Sequence, residues 1–233
     1  MSPTKTLSIV IPAYNEERFI GTLLEQIKAV DLAQLGIDKQ IIVVDDCSRD
    51  RTAEIAGAVP GVTLKRMPVN GGKGQAVRAG IAIANGEYLI IQDADLEYDP
   101  NDYVPMLRAL LSGSADVIYG SRYLGRGRHS NQSLGAYLGG RSLSVVALLF
   151  TGRYLTDTVT ALKLFHREQL AGIELHTSGF ELDHEITAKL ARRGLRFKEV
   201  PIRYLPRSRE EGKKIGPRDW FIAVRTFMRY RNG

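Results

Sequence analysis

Leu89-Ile90-Ile91-Gln92-Asp93-Ala94-Asp95-Leu96-Glu97 is the stretch on which the reading of this chain turns. A short apolar run after Gly86 reads as a buried strand, and it ends abruptly in carboxylates at alternate positions. In an open α/β sheet, ligands sit at the carboxyl ends of the strands. Extended backbone there would aim Asp93, Asp95 and Glu97 the same way, since side chains two apart share a face. Three oxygen donors at a strand end suit a hard divalent cation, Mg²⁺ or Mn²⁺, completed by substrate phosphates. The competing reading, a solvated turn whose acids cap the next helix, is the commoner fate of an isolated Asp-x-Asp. The rest of the chain decides between the two.

Working outward, buried strands are expected at Thr6–Ile11, Gln40–Val44, Val62–Met67 and Ala115–Tyr119. Helices alternate with them: from the Pro12–Glu17 segment to Val30, Thr52–Ala58, Gln75–Ala84 and Asp102–Leu111. Asp50 or Ser48 can cap the second helix. Five strand–helix alternations argue an α/β fold with a mostly parallel sheet covered on both faces. Strand ends at Tyr14–Glu16, Asp45–Asp46 and Asp93–Glu97 then line one crevice. The second half reads as a helix over Leu134–Phe150, a strand over Thr158–Phe165, a helix over Glu181–Arg193, a strand over Phe197–Tyr204 and a final helix over Arg218–Tyr230. A single domain over 1–233 is expected, with a crevice-forming half at 1–120, a less regular half and loop at 121–216, and an amphipathic helix at 217–233.

The net charge of +6 is unevenly placed. Arg192–Gly233 carries 13 Lys/Arg against 4 Asp/Glu, which leaves the remainder net negative, while Arg122–Arg153 holds five arginines and no acid. That asymmetry points to an anionic partner: substrate phosphates, a membrane surface or nucleic acid. A single cysteine, Cys47, excludes an intrachain disulfide and fits a reducing compartment. The first strand starts at once, so no signal peptide is expected, and the longest apolar run, Val145–Phe150, is far too short to span a bilayer.

Ser8-Ile-Val-Ile-Pro-Ala-Tyr-Asn-Glu16, Val43-Val-Asp-Asp-Cys-Ser-Arg-Asp50, Asn70-Gly-Gly-Lys-Gly74, Gln92-Asp-Ala-Asp-Leu-Glu97 and Gly120-Ser-Arg-Tyr123 follow one another in the order of the family 2 glycosyltransferases. With the stretch from Val200 to Ile215, the chain resembles the dolichyl/polyprenyl-phosphate mannose and glucose synthases along nearly its whole length. The resemblance implies a GT-A fold, Rossmann-like, and an inverting transfer of a hexose from a GDP- or UDP-sugar to a polyprenyl phosphate. It implies that Pro12, Tyr14, Glu16, Val44 and Asp46 border base and ribose. It places Asp93, Ala94, Asp95 and Glu97 at the diphosphate and metal, where relatives often have Gln instead of Glu97. Arg122 would face the phosphates, with Arg207 and Lys213 in a closing loop; Lys214 is the alternative register. Asp95, Arg122, Arg207 and Lys213 are the expected catalytic set.

The Asn70–Gly74 turn lacks the spacing of a Walker loop and reads as a tight turn allowing backbone to approach the nucleotide, with Lys73 facing substrate or solvent. A phosphate acceptor, already largely dianionic at neutral pH, needs positioning by arginines and no strong base. A saccharide or small-hydroxyl acceptor would need one, from Asp183 or Glu181. His184 reads as structural. The remaining alternatives are a catalytically silent sugar-nucleotide binder, a nucleotidyltransferase and a nucleic-acid-binding domain; no recognition module for nucleic acid is present. Arg218, Arg225 and Arg229 share one stripe of the last helix, opposite Trp220, Val224 and Phe227 with Phe221 and Met228 on the flanks. That segregation serves either packing on a core or a cytoplasmic protein's peripheral contact with the cytoplasmic face of a membrane.

Overall fold

In the computed structural model, residues 5–124, 134–206 and 217–231 are described. Seven strands form one sheet: β1 (Lys5–Ala13), β2 (Ile37–Asp45), β3 (Val62–Arg66), β4 (Tyr88–Ile91), β5 (Val117–Ser121), β6 (Lys163–His166) and β7 (Phe197–Pro201). Their order across the sheet is β3-β2-β1-β4-β6-β5-β7. Every pairing is parallel except those of β6, which runs antiparallel between β4 and β5. The fold class is therefore the expected one.

Alternation along the strands builds two core layers. In β1, Leu7, Ile9 and Ile11 face one side and Val10 the other; in β4, Tyr88 and Ile90 oppose Leu89 and Ile91. Helices α1 (Ile20–Ala29) and α4 (Tyr103–Leu111) cover the first face through Leu23, Leu24, Met106 and Leu107. Helices α3 (Lys73–Ile81) and α6 (Leu182–Arg192) cover the second through Val77, Ile186 and Leu190. Helix α2 (Thr52–Ala58) has the expected bounds, and Asp50, not Ser48, meets its first turn by accepting from Thr52 N at 3.0 Å. Outside these layers, α5 (Leu134–Thr151) and α7 (Pro217–Tyr230) pack on α6 around Ala147, Ala188 and Phe227.

Three expectations are corrected. The stretch Thr158–Phe165 is extended only from Lys163, because the residues before it turn, with Asp157, Thr158 and Thr160 buried. The strand expected to Tyr204 ends at Pro201, after which Tyr204 makes a lone bridge to Tyr98. The first helix starts at Ile20, since Asn15–Phe19 is spent on a turn fastened to the end of β2.

Backbone strain marks one rim of the sheet. Asn15, Cys47 and Leu96 are the non-glycine residues with positive φ (54°, 61° and 59°) among those described, and they follow β1, β2 and β4 at their carboxyl ends. A left-handed residue costs roughly 1–2 kcal/mol without glycine, and such cost concentrates where geometry serves a ligand.

Candidate active site

The three strained turns open into one cleft of about 920 Å³. Pro12, Tyr14 and Glu16 line it from β1, and Asp46 from β2. Val44 does not reach it. Its side chain is fully buried in the second core layer against α3.

Asp46 works through the Asn70–Gly74 turn. Its carboxylate accepts from Gly71 N at 2.8 Å and Gly72 N at 2.7 Å. The next free amides, Gly74 N and Gln75 N, donate to the Ser178 carbonyl at 2.6 and 3.2 Å. These N–H groups are thus committed to protein acceptors, which removes the anion-binding capacity a helix start otherwise offers. The close approach that the glycines permit is to the chain itself: a Cβ at Gly74 would lie 2.6 Å from the Thr177 carbonyl oxygen. Gly74→Ala is expected to lower the melting temperature, because two backbone segments must part; overpacking of this kind costs about 1–3 kcal/mol. Gly135→Ala on α5, with nothing within 4 Å of the added carbon, should leave it unchanged or slightly raised. Equal melting temperatures for the two variants would refute the contact.

Asp93, Asp95 and Glu97 all border the cleft, together with Ala94. They do not project in parallel as extended backbone would require. β4 ends at Ile91, and Leu96 in the left-handed region turns the chain back. Each carboxylate meets a group of this chain: Asp93 Oδ1 pairs with Lys73 Nζ at 2.7 Å, Asp95 Oδ1 accepts from Glu97 N at 3.2 Å, and Glu97 Oε2 accepts from Tyr204 Oη at 2.8 Å. Among the described residues no three such side chains are gathered as a cation cage. Hard oxygen donors on one cleft wall nevertheless suit Mg²⁺ or Mn²⁺, which need only one or two carboxylates beside substrate phosphates.

Lys73 is not solvated. It lies between Asp93 and Asp183 Oδ2 (3.3 Å), and Lys163 Nζ holds the other Asp183 oxygen at 2.8 Å. Burial alone would lower the Lys73 pKa, but the Asp183 and Asp93 carboxylates outweigh it and the ammonium persists. Burial works against the Asp183 carboxylate too, and Lys163 and Lys73 override it, holding that acid below its usual range. Both oxygens of Asp183 are therefore occupied and its basicity is reduced, which weighs against it as the general base of a hydroxyl transferase. Glu181 borders the cleft and accepts from Gly179 N at 3.1 Å. Glu185 instead fastens the His176–Thr177 backbone and Lys189. His184 is neutral, its pKa pushed down to about 4 by burial, and packs on Phe227, as the structural reading expected.

Arg122 stands at the cleft wall with its guanidinium on the buried Asp157 carboxylate, Nε at 2.6 Å and Nη2 at 2.7 Å. The Tyr204 ring covers it at 5.0 Å. Asp157 and Lys163 escaped the sequence reading: each is a lone charge in an unpatterned segment, and its partner lies 35 or 20 positions away. Arg207, Lys213 and Lys214 lie outside the described residues.

The remaining cleft wall is mostly apolar: Tyr123, Leu143 from α5, Phe180, and Trp220, Phe221 and Ile222 from α7, with the acid Asp219 beside Trp220. A polar, strained rim thus joins a mostly apolar half in one cleft.

Residues 8–163 match glycosyl transferase family 2. The chain belongs to that family. It is 32% identical over 221 residues to a dolichol-phosphate mannosyltransferase of Pyrococcus furiosus, a match covering 90% of this chain and 59% of that protein. It is 30% identical over 204 residues to a dolichyl-phosphate hexose transferase of Haloferax volcanii, covering 88% of this chain and 85% of the relative. Relatives such as the first are thus longer than the region they share with this glycosyltransferase. In fold, it superposes on UDP-bound glucosyl-3-phosphoglycerate synthase from Mycobacterium tuberculosis with a TM-score of 0.75 at 20% identity, covering 98% of this chain and 80% of that one. A further structure of that synthase contains Mn²⁺ and UDP. The fold of the present glycosyltransferase is GT-A.

Proposed function

We propose that this glycosyltransferase moves a hexose from a nucleoside-diphosphate sugar to a polyprenyl phosphate at a membrane surface. The observation that carries the reading is the second half of the cleft, where the half-buried Arg122 shares the lining with Leu143, Phe180, Trp220, Phe221 and Ile222. Phe221 and Ile222 are themselves 68% and 43% exposed, so the apolar lining runs out onto the face of α7. A phosphate on a hydrocarbon chain matches both parts. The occupied oxygens of Asp183 weigh against a hydroxyl acceptor that would use it as base.

In this mechanism an acceptor phosphate oxygen attacks the anomeric carbon from the side opposite the leaving group. The bond to the nucleoside diphosphate breaks, and the configuration inverts. Pro12, Tyr14, Glu16 and Asp46 border the nucleoside; the tyrosine ring offers a stacking face and the acids accept from base or ribose donors. Arg122, with Arg207 and Lys213, orients the phosphates. Asp93 and Asp95, with Glu97, would hold a Mg²⁺ or Mn²⁺ ion, which neutralises charge on the departing diphosphate. The direct test is transfer from GDP- and UDP-hexoses to a polyprenyl phosphate and to a saccharide in parallel. Product with the saccharide alone would overturn the acceptor.

Among the described residues no helix is long and apolar enough to cross a membrane. Helix α7 buries Ala223, Phe227 and Tyr230 and exposes Arg218, Arg225 and Arg229 flanked by Phe221 and Met228. It therefore packs on a core and also presents a mixed cationic and apolar face. On α5, Leu138, Val145 and Leu149 are exposed as well. Such a face suits the boundary of an anionic leaflet. Flotation with anionic vesicles is expected at low salt, falling with added salt and falling severalfold when Arg218, Arg225 and Arg229 become Gln. Equal flotation of the triple variant would refute the contact.

A further inference from the structure

Asp93 and Asp183 approach Lys73 from opposite sides of the cleft, one on the turn after β4 and the other in the first turn of α6. The side chain of Lys73 is only 13% exposed, and those of Asp183 and Lys163 are 7% and 0%. Two acids and two ammoniums thus form a chain of balanced charge, Asp93–Lys73–Asp183–Lys163, buried at the Lys163 end and half-buried at Asp93, which is 24% exposed. The carboxylate that would take a divalent cation is already neutralised by a cation belonging to the protein. The other two acids of the turn are likewise engaged, Asp95 by the Glu97 amide and Glu97 by the Tyr204 hydroxyl.

We infer that Lys73 is an internal counter-ion that holds the cation site closed until a nucleoside diphosphate takes over its ammonium. The inference deepens the donor reading above and rests on it. Its physical content is competition. A divalent cation arriving alone must displace Lys73 from Asp93 and leave that ammonium facing a second positive charge inside the cleft. A diphosphate arriving with the cation gives the ammonium a new partner in place of Asp93, while Asp183, held by Lys163, keeps its contact with the other side of the same ammonium. The nucleotide therefore raises affinity for the cation, and by linkage the cation raises affinity for the nucleotide by the same factor. The effect on the enzyme is that a lone metal ion does not settle in the cleft and the donor enters as its metal complex. Lys163 and Asp183 act here as positioning residues, through the contacts that hold the Lys73 ammonium.

Mn²⁺ binding to the whole protein, followed by electron paramagnetic resonance with and without GDP or UDP, tests this. Lys73→Met and Lys73→Gln remove the competitor, and the fold survives because Asp183 keeps Lys163. Both variants are expected to bind Mn²⁺ without nucleotide about tenfold more tightly than the wild type, and to show a correspondingly smaller enhancement by nucleotide. Lys73→Arg keeps the charge and should bind Mn²⁺ like the wild type. Unchanged or weaker Mn²⁺ binding by both neutral variants, with native circular dichroism, would overturn the counter-ion. Wild type that binds neither nucleotide in the presence of Mn²⁺ would overturn the donor reading and the counter-ion with it.

Discussion

Asparagine at position 95 is expected to abolish hexose transfer while leaving the melting temperature within a few degrees of the wild type. Asp95 sits half-buried on the turn after β4, outside both core layers. Its hydrogen bond from Glu97 N to Oδ1 can be kept by the amide oxygen of asparagine. What is lost is a full negative charge at the place where a divalent cation meets the diphosphate. A cation that stabilises a leaving group supplies several kcal/mol to the transition state. Loss of about 4 kcal/mol is roughly a thousandfold in rate. The measurement is turnover of a nucleoside-diphosphate hexose beside a thermal melt of the same preparation. Unchanged turnover, or full wild-type activity in excess chelator, would remove the metal from the mechanism.

Arg122→Ala is expected to act on both stability and rate. Asp157 is 1% exposed, and Arg122 reaches it through both its backbone amide and its guanidinium. Removing one partner of a buried pair strands the other charge, at a cost of about 3–5 kcal/mol. For a chain of this size that corresponds to a fall of roughly 6–20 °C in melting temperature. Activity should fall further than unfolding at the assay temperature explains, since the guanidinium also stands at the cleft. Arg122→Met combined with Asp157→Asn separates the two effects. The pair is then neutral, most of the stability should return, and transfer should stay lost. Recovery of activity along with stability would make Arg122 a structural residue only.

Much of the scaffold was legible in the chain because its signals are local. Buried runs such as Ile9–Ile11 and Leu89–Ile91 declare strands by composition, and all the residues that would make a strand end polar follow within a few positions. Helix α2 was read to the residue, since Thr52–Ala58 lies between a capping acid and a β-branched stop at Val59. The antiparallel insertion of β6 between β4 and β5 was not legible. A four-residue strand of Lys163–His166 carries no mark of its direction or its neighbours, which are chosen by how the chain between them can be routed.

At the cleft the division is similar. Motif order placed Tyr14, Glu16, Asp46, Asp93, Asp95 and Arg122 around one cleft, and they line it. At Val44 the alternation of the strand decides the side chain's place: adjacent side chains face opposite ways, and Val44 takes the core side.

By itself, the amino-acid sequence determined the family, the layered α/β fold and the identity of the strand ends that meet at one rim. Those follow from periodicity and from short motifs, whose physics is contained within a few residues. Only the tertiary structure decided which charges are partners. Lys73 with Asp93 and Asp183, Lys163 with Asp183, and Arg122 with Asp157 join positions 20 to 110 residues apart. The energy of an ion pair depends on separation in space and on the exclusion of water around it, and neither quantity is written along the chain.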